Sequence, residues 1–269
     1  MPYVDLHLHL LPGVDDGPPD EAASLVHAER LAREGVHEAT VTPHIAHPEF
    51  RFDIASIAER TRALQSTIDA AGIDLLLHPG GEIYPGGATT LSPTDLDMIA
   101  HGPRGARWVL FEVPFAGIDP AWLAACRHIR ESGFSLLIAH PERASGFLTG
   151  GHELVRPELA AGALLQVNVS SLLGRHGPEA HAGAVRLVRD GRAYVLASDG
   201  HGRSRADTLG AGPAAARAAG ASQLRSDQLT AANPRFLLRS GMPREQRTRW
   251  MPTQRRRVRA ARSAARNHR

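Results

Sequence analysis

The stretch Tyr3-Val4-Asp5-Leu6-His7-Leu8-His9 constrains the fold more than any other part of the chain. Its alternation is that of a β-strand, which sends successive side chains to opposite faces. On that pattern Asp5, His7 and His9 share one face, and Leu6, Leu8 and Leu10 the other. A carboxylate and two imidazoles are costly to bury unless a charged partner satisfies them. A divalent cation gripped by two histidines two residues apart is the usual partner. One such pair constrains little by itself; its weight comes from what ends each later strand.

Strands are expected over Glu38–Thr42, Ile73–Leu77, Arg107–Phe111, Phe134–Ala139, Leu164–Val167 and Ala193–Ala197. The second runs into His44, the third through Pro79-Gly80-Gly81 into Glu82, and the fourth into Glu112. The fifth ends at His140, the sixth at Asn168 before Ser170-Ser171, and the seventh in Ser198-Asp199-Gly200-His201. Helical spacing is read from about Asp20 to a stop at Gly35, over Ile54–Ile68 to Gly72, and over Ala121–Glu131. Arg205–Ala219 and Leu229–Leu238 are also expected to be helical, and Tyr84–Arg104, with its Gly and Pro, to be a long loop or excursion. Seven strands alternating with helices predict an α/β fold: a parallel sheet closed into a distorted seven-stranded (β/α) barrel, as one domain. In such barrels the working residues sit where strands end and βα loops begin. His7, His9, His44, Glu82, Glu112, His140, Asp199 and His201 all fall there.

These side chains, with Asp16 in the first loop, exceed what one ion needs. Nitrogen and oxygen ligands without sulfur suit Mn²⁺, Fe²⁺ or Zn²⁺ alike. The single Cys126 excludes an intrachain disulfide and any thiolate-rich zinc site, and its helical neighbours predict a core thiol. At 269 residues and 42% hydrophobic the chain has ample material for one large domain. No apolar run approaches a membrane span of ~20 residues, and no signal peptide is read, so a cytoplasmic protein is expected. The chain has no lysine. Residues 244–269 carry ten Arg against Glu245, a net of +9, which leaves +3 − 9 = −6 for the rest. A domain over 1–242 and a disordered Arg-rich tail over 243–269 are therefore expected.

The stretches "DLHLHLLPGVDDG", "TPH", "GGE", "FEVPF", "IAHPER", "SSLLG" and "ASDGH" occur in order between residues 5 and 201. In these the chain resembles the polymerase-and-histidinol-phosphatase (PHP) superfamily of metal-dependent phosphoesterases. Within it, "PGVDDG" and "IAHPER" resemble the bacterial protein-tyrosine phosphatases of capsular polysaccharide loci. The resemblance implies three divalent ions, Mn²⁺ first, with Fe²⁺ or Zn²⁺ as alternatives. His7, His9, Glu82 and Asp199 would hold the first, with Glu82 bridging to the second. Glu112 and His140 would complete the second; Asp16 rather than Asp15, His44 and His201 would hold the third. Arg143 would grip the phosphate, a role that suits a guanidinium fork facing two oxygens. Gly200 stands where the family usually has Ala, Asn168-Val169 replaces Thr-Ala, and Ile45 takes the place of a second His.

The implied substrate is a phosphotyrosine protein, the tail of a tyrosine autokinase of capsule or exopolysaccharide synthesis. The rival enzyme reading is a small-molecule phosphatase of the histidinol-phosphate type. A nucleic-acid enzyme is the reading from another class; the acidic body opposes it, and no nucleic-acid partner is expected. The basic tail is read as a solvated segment, with peripheral approach to an anionic membrane as the sharper alternative. Ser170 and Ser171 are read as helix caps or substrate contacts. The remaining histidines, His27 and His101 among them, are expected in solvent, with His47 left undecided.

Overall fold

The computed structural model describes residues 1–202 and 208–242. Its strands are β1 (Tyr3–Leu8), β2 (Val36–Val41), β3 (His44–Ile45), β4 (Leu76–Pro79), β5 (Glu82–Ile83), β6 (Trp108–Glu112), β7 (Ser135–Ala139), β8 (Leu164–Asn168) and β9 (Ala193–Ala197). The helices are α1 (Glu21–Arg33), α2 (Ile57–Ala70), α3 (Pro93–Ile99), α4 (Pro120–Glu131), α5 (His152–Ala160), α6 (Val169–Leu172), α7 (Gly177–Arg189), α8 (Gly212–Ala218), α9 (Gln223–Asp227) and α10 (Asn233–Ser240). Every strand pairing is parallel. Helices separate most of the strands, as parallel crossovers require.

The strands form two sheets, β1-β2-β4 and β3-β5-β6-β7-β8-β9, rather than one closed seven-stranded ladder. The division follows from sequence. Pro43 lacks an N–H and separates β2 from β3, and Gly80-Gly81 separates β4 from β5. The chain thus changes sheet three times, between β2 and β3, β3 and β4, and β4 and β5. At the opposite border β9 reaches β1: Asp199 donates its N–H to the His7 carbonyl at 2.9 Å, and His9 to that of Gly200 at 2.9 Å.

Two apolar clusters hold these layers. Val4, Leu6, Trp108, Leu110, Leu137, Ala139 and Val195 form the smaller, covered by Leu237 of α10 and by Met242. Trp108 fixes this cover by donating its indole N–H to the Leu237 carbonyl at 2.9 Å. The larger cluster packs Val41, Phe111, Ile138, Val167 and Leu196 against helix residues such as Leu31, Leu64 and Ile129. The face that bears the smaller cluster continues along the strands into polar side chains: Glu112 after Leu110, Gln166 and Asn168 on β8, and Asp199 beyond Val195. Polar groups end up buried there because each continues an apolar row already buried on both sides.

Local signals set the helix starts. The Asp20 side chain accepts the Ala23 N–H at 2.8 Å and starts α1. Asp119 accepts the Trp122 N–H at 2.8 Å, with Pro120 next to it, and starts α4. Of the two readings of Tyr84–Arg104, loop or excursion, the stretch is a largely folded excursion. A 3₁₀ segment covers Pro85–Thr90, and α3 begins with a reciprocal Ser92–Asp95 capping box. Leu96 and Ile99 of α3 are buried, which ties this excursion to the core. The helix expected over Arg205–Ala219 lies partly outside the described residues; its described part is a 3₁₀ turn leading into α8. The Arg-rich segment 243–269 lies outside the described residues.

Candidate metal centre

The first strand does not keep the simple alternation its sequence suggests. Its pairing with β2 is irregular between Asp5 and Leu8. Val4 and Leu6 join the smaller apolar cluster, whereas Leu8 joins the larger one. A phase change of this kind re-aims a side chain. It brings His7 onto the face already occupied by Leu6. Asp5, expected beside His7 and His9, is turned away from the cluster. Its Oδ1 accepts the N–H groups of His7 and Ser198, both at 3.2 Å. Burial pushes its carboxyl up to about 6, so Asp5 serves the backbone where β1 meets the segment after β9.

A second phase change sits at His140. Leu137 and Ala139 belong to the smaller cluster, so regular alternation would send His140 to the other face. Its backbone is left-handed instead, with φ 30° and ψ 55°, and turns the ring inward. Asp199 is also left-handed, with φ 52°. Non-glycine residues adopt this region at a cost of about 1–2 kcal/mol, and such strain concentrates at functional sites.

These turns bring the donor atoms together. Glu82 Oε2 lies 3.1 Å from His7 Nε2, 3.2 Å from His9 Nε2 and 3.3 Å from His44 Nδ1. Its other oxygen lies 3.0 Å from His140 Nε2. Asp199 Oδ1 lies 3.3 Å from His7 Nε2 and 3.6 Å from His9 Nε2. Asp16 Oδ1 meets His201 Nε2 at 3.1 Å and His44 Nε2 at 3.5 Å. Two groups result, His7–Glu82–His140–Asp199 and His9–Asp16–His44–His201, each with its ligand atoms within 4.8 Å of one another. Glu112 stands at the edge of the first, 4.0 Å from His140 Nε2.

The donor chemistry fits divalent cations. The Nε2 atoms of His7 and His9 face each other at 3.3 Å. Two ring nitrogens at that separation need either a proton or a cation between them. The charges show the same tension. Burial opposes ionisation of Glu82, yet the surrounding imidazoles outweigh it and hold its carboxyl well below the usual range. Burial also opposes charge on His9, but Asp15 and Glu82 outweigh it and raise its pKa. Glu112, buried beside Glu82 and Asp199, is pushed up to about 9. A concentrated set of carboxylates with one forced to keep its proton is what bound cations would relieve.

Of the neighbouring acids, Asp15 has a different part from Asp16. Its Oδ2 lies 2.7 Å from His9 Nδ1 and accepts the His44 N–H at 3.1 Å, while its Oδ1 accepts the Gly17 N–H at 3.0 Å. A carboxylate there makes Nδ1 of His9 the donor and leaves Nε2 as the lone pair facing the cluster. Arg143 donates from Nη1 to Asp199 Oδ2 at 2.7 Å, and its guanidinium lies over the Phe115 ring. Glu142 does not pair with it; its Oε1 accepts the Asn168 N–H at 2.9 Å.

Above this floor opens a cavity of about 1360 Å³, with Phe50, Tyr84 and Phe115 among its walls. His47 lies against Phe50 and Tyr84, with ring centroids 4.7 and 4.6 Å away. Ser170 lines the cavity, while Ser171 is buried and bonded to His176 Nδ1 at 2.9 Å. Neither serine caps α6. His27 and His101, expected in solvent, are buried. Sequence reasoning gave Asp15 no part beyond that of a rival to Asp16, noted Asn168 only as a departure from the family pattern, and passed over Gln166 and Phe115. The acid preceding Asp16 and the polar residues at alternate positions of β8 were the available signals.

A parallel α/β protein that gathers imidazoles and carboxylates at the carboxyl ends of its strands belongs to a class built for chemistry at that edge. Within that class the chain is a member of the capsular polysaccharide synthesis family CpsB/CapC, which matches residues 3–239. It is 27% identical over 198 residues to the tyrosine-protein phosphatase YwqE of Bacillus subtilis, covering 74% of this chain and 77% of that protein. It is 27% identical over 202 residues to the putative tyrosine-protein phosphatase CapC of Staphylococcus aureus, covering 74% and 76%. A structure from a study of YwqE of Bacillus subtilis and CpsB of Streptococcus pneumoniae, described as unique metal-dependent tyrosine phosphatases, superposes with a TM-score of 0.74. The identity is 26%, covering 87% of this chain and 94% of that one. The phosphotriesterase homology protein of Escherichia coli shares the fold, with a TM-score of 0.57 at 15% identity over 87% of this chain and 97% of its own.

Proposed function

We propose that this chain is a metal-dependent protein-tyrosine phosphatase acting on a tyrosine kinase of capsule or exopolysaccharide synthesis in the cytoplasm. The observation that carries the reading is the convergence of eight ligand-type side chains, in two groups, at the bottom of an open cavity. His7, Glu82, His140 and Asp199 would hold one ion, and His9, Asp16, His44 and His201 another. Glu112, 4.0 Å from His140 Nε2, would supply a further ligand in a three-ion arrangement, with Mn²⁺ as the expected ion and Fe²⁺ or Zn²⁺ as alternatives. The seven βα units would enclose this centre as a distorted barrel.

Divalent ions there would supply Lewis-acid charge and a source of hydroxide near neutral pH. The protein's own groups do the rest. Arg143, anchored on Asp199, presents its remaining N–H donors toward the cavity, where a phosphoryl group would arrive. Asp15 holds His9 in one tautomer. Phe115, Phe50 and Tyr84 in the cavity lining offer apolar faces to an aryl ring.

Among the described residues the cavity has no tight enclosure for a small metabolite, which supports recognition through the phosphate and the ring. Phosphotyrosine peptides with flexible Tyr-rich tails should be hydrolysed at least ~10-fold faster by kcat/KM than histidinol phosphate, with phosphoserine peptides lagging. Assays of all three at saturating Mn²⁺ decide this; a clear preference for histidinol phosphate would move the chain to the small-molecule class.

A further inference from the structure

Gln166 and Asn168 project from β8 into the floor of the centre, and both are fully buried. Gln166 Oε1 accepts the backbone N–H of His140 at 3.2 Å and lies 3.1 Å from His7 Nδ1. Its Nε2 donates to Asn168 Oδ1 at 2.7 Å. Asn168 Nδ2 in turn donates to Asp199 Oδ2 at 2.8 Å, the oxygen that also receives Arg143. A backbone N–H is only ever a donor, so the His140 amide fixes which end of the Gln166 side chain is oxygen. Everything downstream then has one polarity. Nδ1 of His7 must carry its hydrogen to meet that oxygen, and Nε2 must be the lone pair facing Glu82 and Asp199. Asn168 must present oxygen to Gln166 and hydrogen to Asp199, which turns Oδ1 of Asp199 toward His7 and His9.

We infer that Gln166 is a positioning residue that sets the tautomer of His7 and the amide orientation of Asn168, and through them the presentation of one histidine and one aspartate to the cation. It does for His7 what the Asp15 carboxylate does for His9, but with a neutral side chain that has a second arm. Asp199 Oδ2 takes two N–H donors, one from Asn168 and one from Arg143, so the relay also couples cation ligand and phosphate-facing guanidinium. The consequence for cation binding rests on the proposed metal centre; the hydrogen-bond polarity does not.

The test compares the full chain with Gln166→Leu, which removes both arms at similar volume, and Gln166→Glu, which keeps an acceptor for His7 but cannot donate to Asn168. Long-range ¹H–¹⁵N correlation of the imidazoles in protein loaded with diamagnetic Zn²⁺ reports which His7 nitrogen carries hydrogen and whether that N–H is hydrogen-bonded. Mn²⁺ titration against a competing chelator reports affinity. Wild type and Gln166→Glu should both show His7 protonated at Nδ1. Gln166→Leu should lose the hydrogen-bonded Nδ1–H signal of His7 and about 10- to 100-fold in Mn²⁺ affinity. Gln166→Glu should stay within about threefold of wild type, the rescue a packing role would not predict. Unchanged His7 spectra and affinity in Gln166→Leu would overturn the assignment. So would an Nε2–H tautomer in wild type or in Gln166→Glu, which decides the matter alone if the leucine variant does not fold. Wild type that binds Mn²⁺ yet ignores phosphotyrosine would instead count against the proposed substrate.

Discussion

Arg143 donates to Asp199 Oδ2 at 2.7 Å while its guanidinium stacks 4.4 Å from the centroid of the Phe115 ring. One cation is thus pinned between a buried carboxylate on the floor and an aromatic wall at the mouth. A guanidinium held in this way is already oriented, which would lower the cost of the phosphate grip proposed for it. Arg143→Ala should lose on the order of 2–4 kcal/mol of transition-state stabilisation, about 30- to 1000-fold in turnover, with fold and metal content intact. Arg143→Lys should recover little, because an ammonium lacks the planar fork. A loss below about threefold in Arg143→Ala removes this residue from the reaction.

Asp15 and Asp16 are adjacent but predict different defects. Asp16 reaches His201 and His44, whereas Asp15 grips Nδ1 of His9 and two backbone N–H groups. Asp15→Ala should weaken metal binding about 10- to 100-fold by freeing the His9 tautomer, while excess metal restores much of the activity. Asp16→Ala removes a proposed ligand and should resist such rescue. Equal rescue of the two by added Mn²⁺ would erase the distinction.

Phe115 is about half exposed at the cavity mouth. A ring contact is worth about 0.5–1.5 kcal/mol, so Phe115→Ala should raise KM for phosphotyrosine about 2- to 12-fold. Hydrolysis of a small alkyl phosphate should change little, since it has no aryl ring. Parallel KM measurements on the two substrates check this, and equal effects on both would assign Phe115 to holding Arg143 rather than substrate.

Much of this centre was legible because the ligand types recur at strand ends in a fixed order. What escaped was phase. Strict alternation put Asp5 with His7 and His9, but the irregular register of β1 and the left-handed backbone at His140 re-aim single residues. Neither deviation leaves a signature in a two-residue period. Gln166 and Asn168 do keep the period; Asn168 was noted as a strand end, and Gln166 escaped because a polar residue on a strand first suggests an exposed face. The capping box at Ser92 and Asp95 was readable, yet the glycines and prolines around it suggested a loop or excursion. His27 and His101 were expected in solvent because a histidine on a helix or loop carries no local mark of burial.

His101 gives a pH test away from the centre. Burial first, then His78 and Arg107, pushes its pKa down to about 3. The ring packs 4.8 Å from that of Trp108. The unfolded chain takes up a proton here below pH ~6.5 that the folded chain refuses until about 3, so stability falls as pH falls through that window. The slope from this one residue is about 1.4 kcal/mol per pH unit. In metal-free protein, His101→Phe should flatten the dependence of urea stability on pH between roughly 4 and 6 by about that amount. Parallel curves for variant and wild type would show that His101 is protonated in the folded state.

The most direct measurement strips the full-length chain of metal, verifies the loss by elemental analysis, and follows hydrolysis of a phosphotyrosine peptide before and after Mn²⁺ is returned. Activity should fall at least about 1000-fold on stripping and return with the ion, whereas His7→Ala and Asp199→Ala should stay inactive after the same treatment. Near-native hydrolysis by verified metal-free protein would contradict the account.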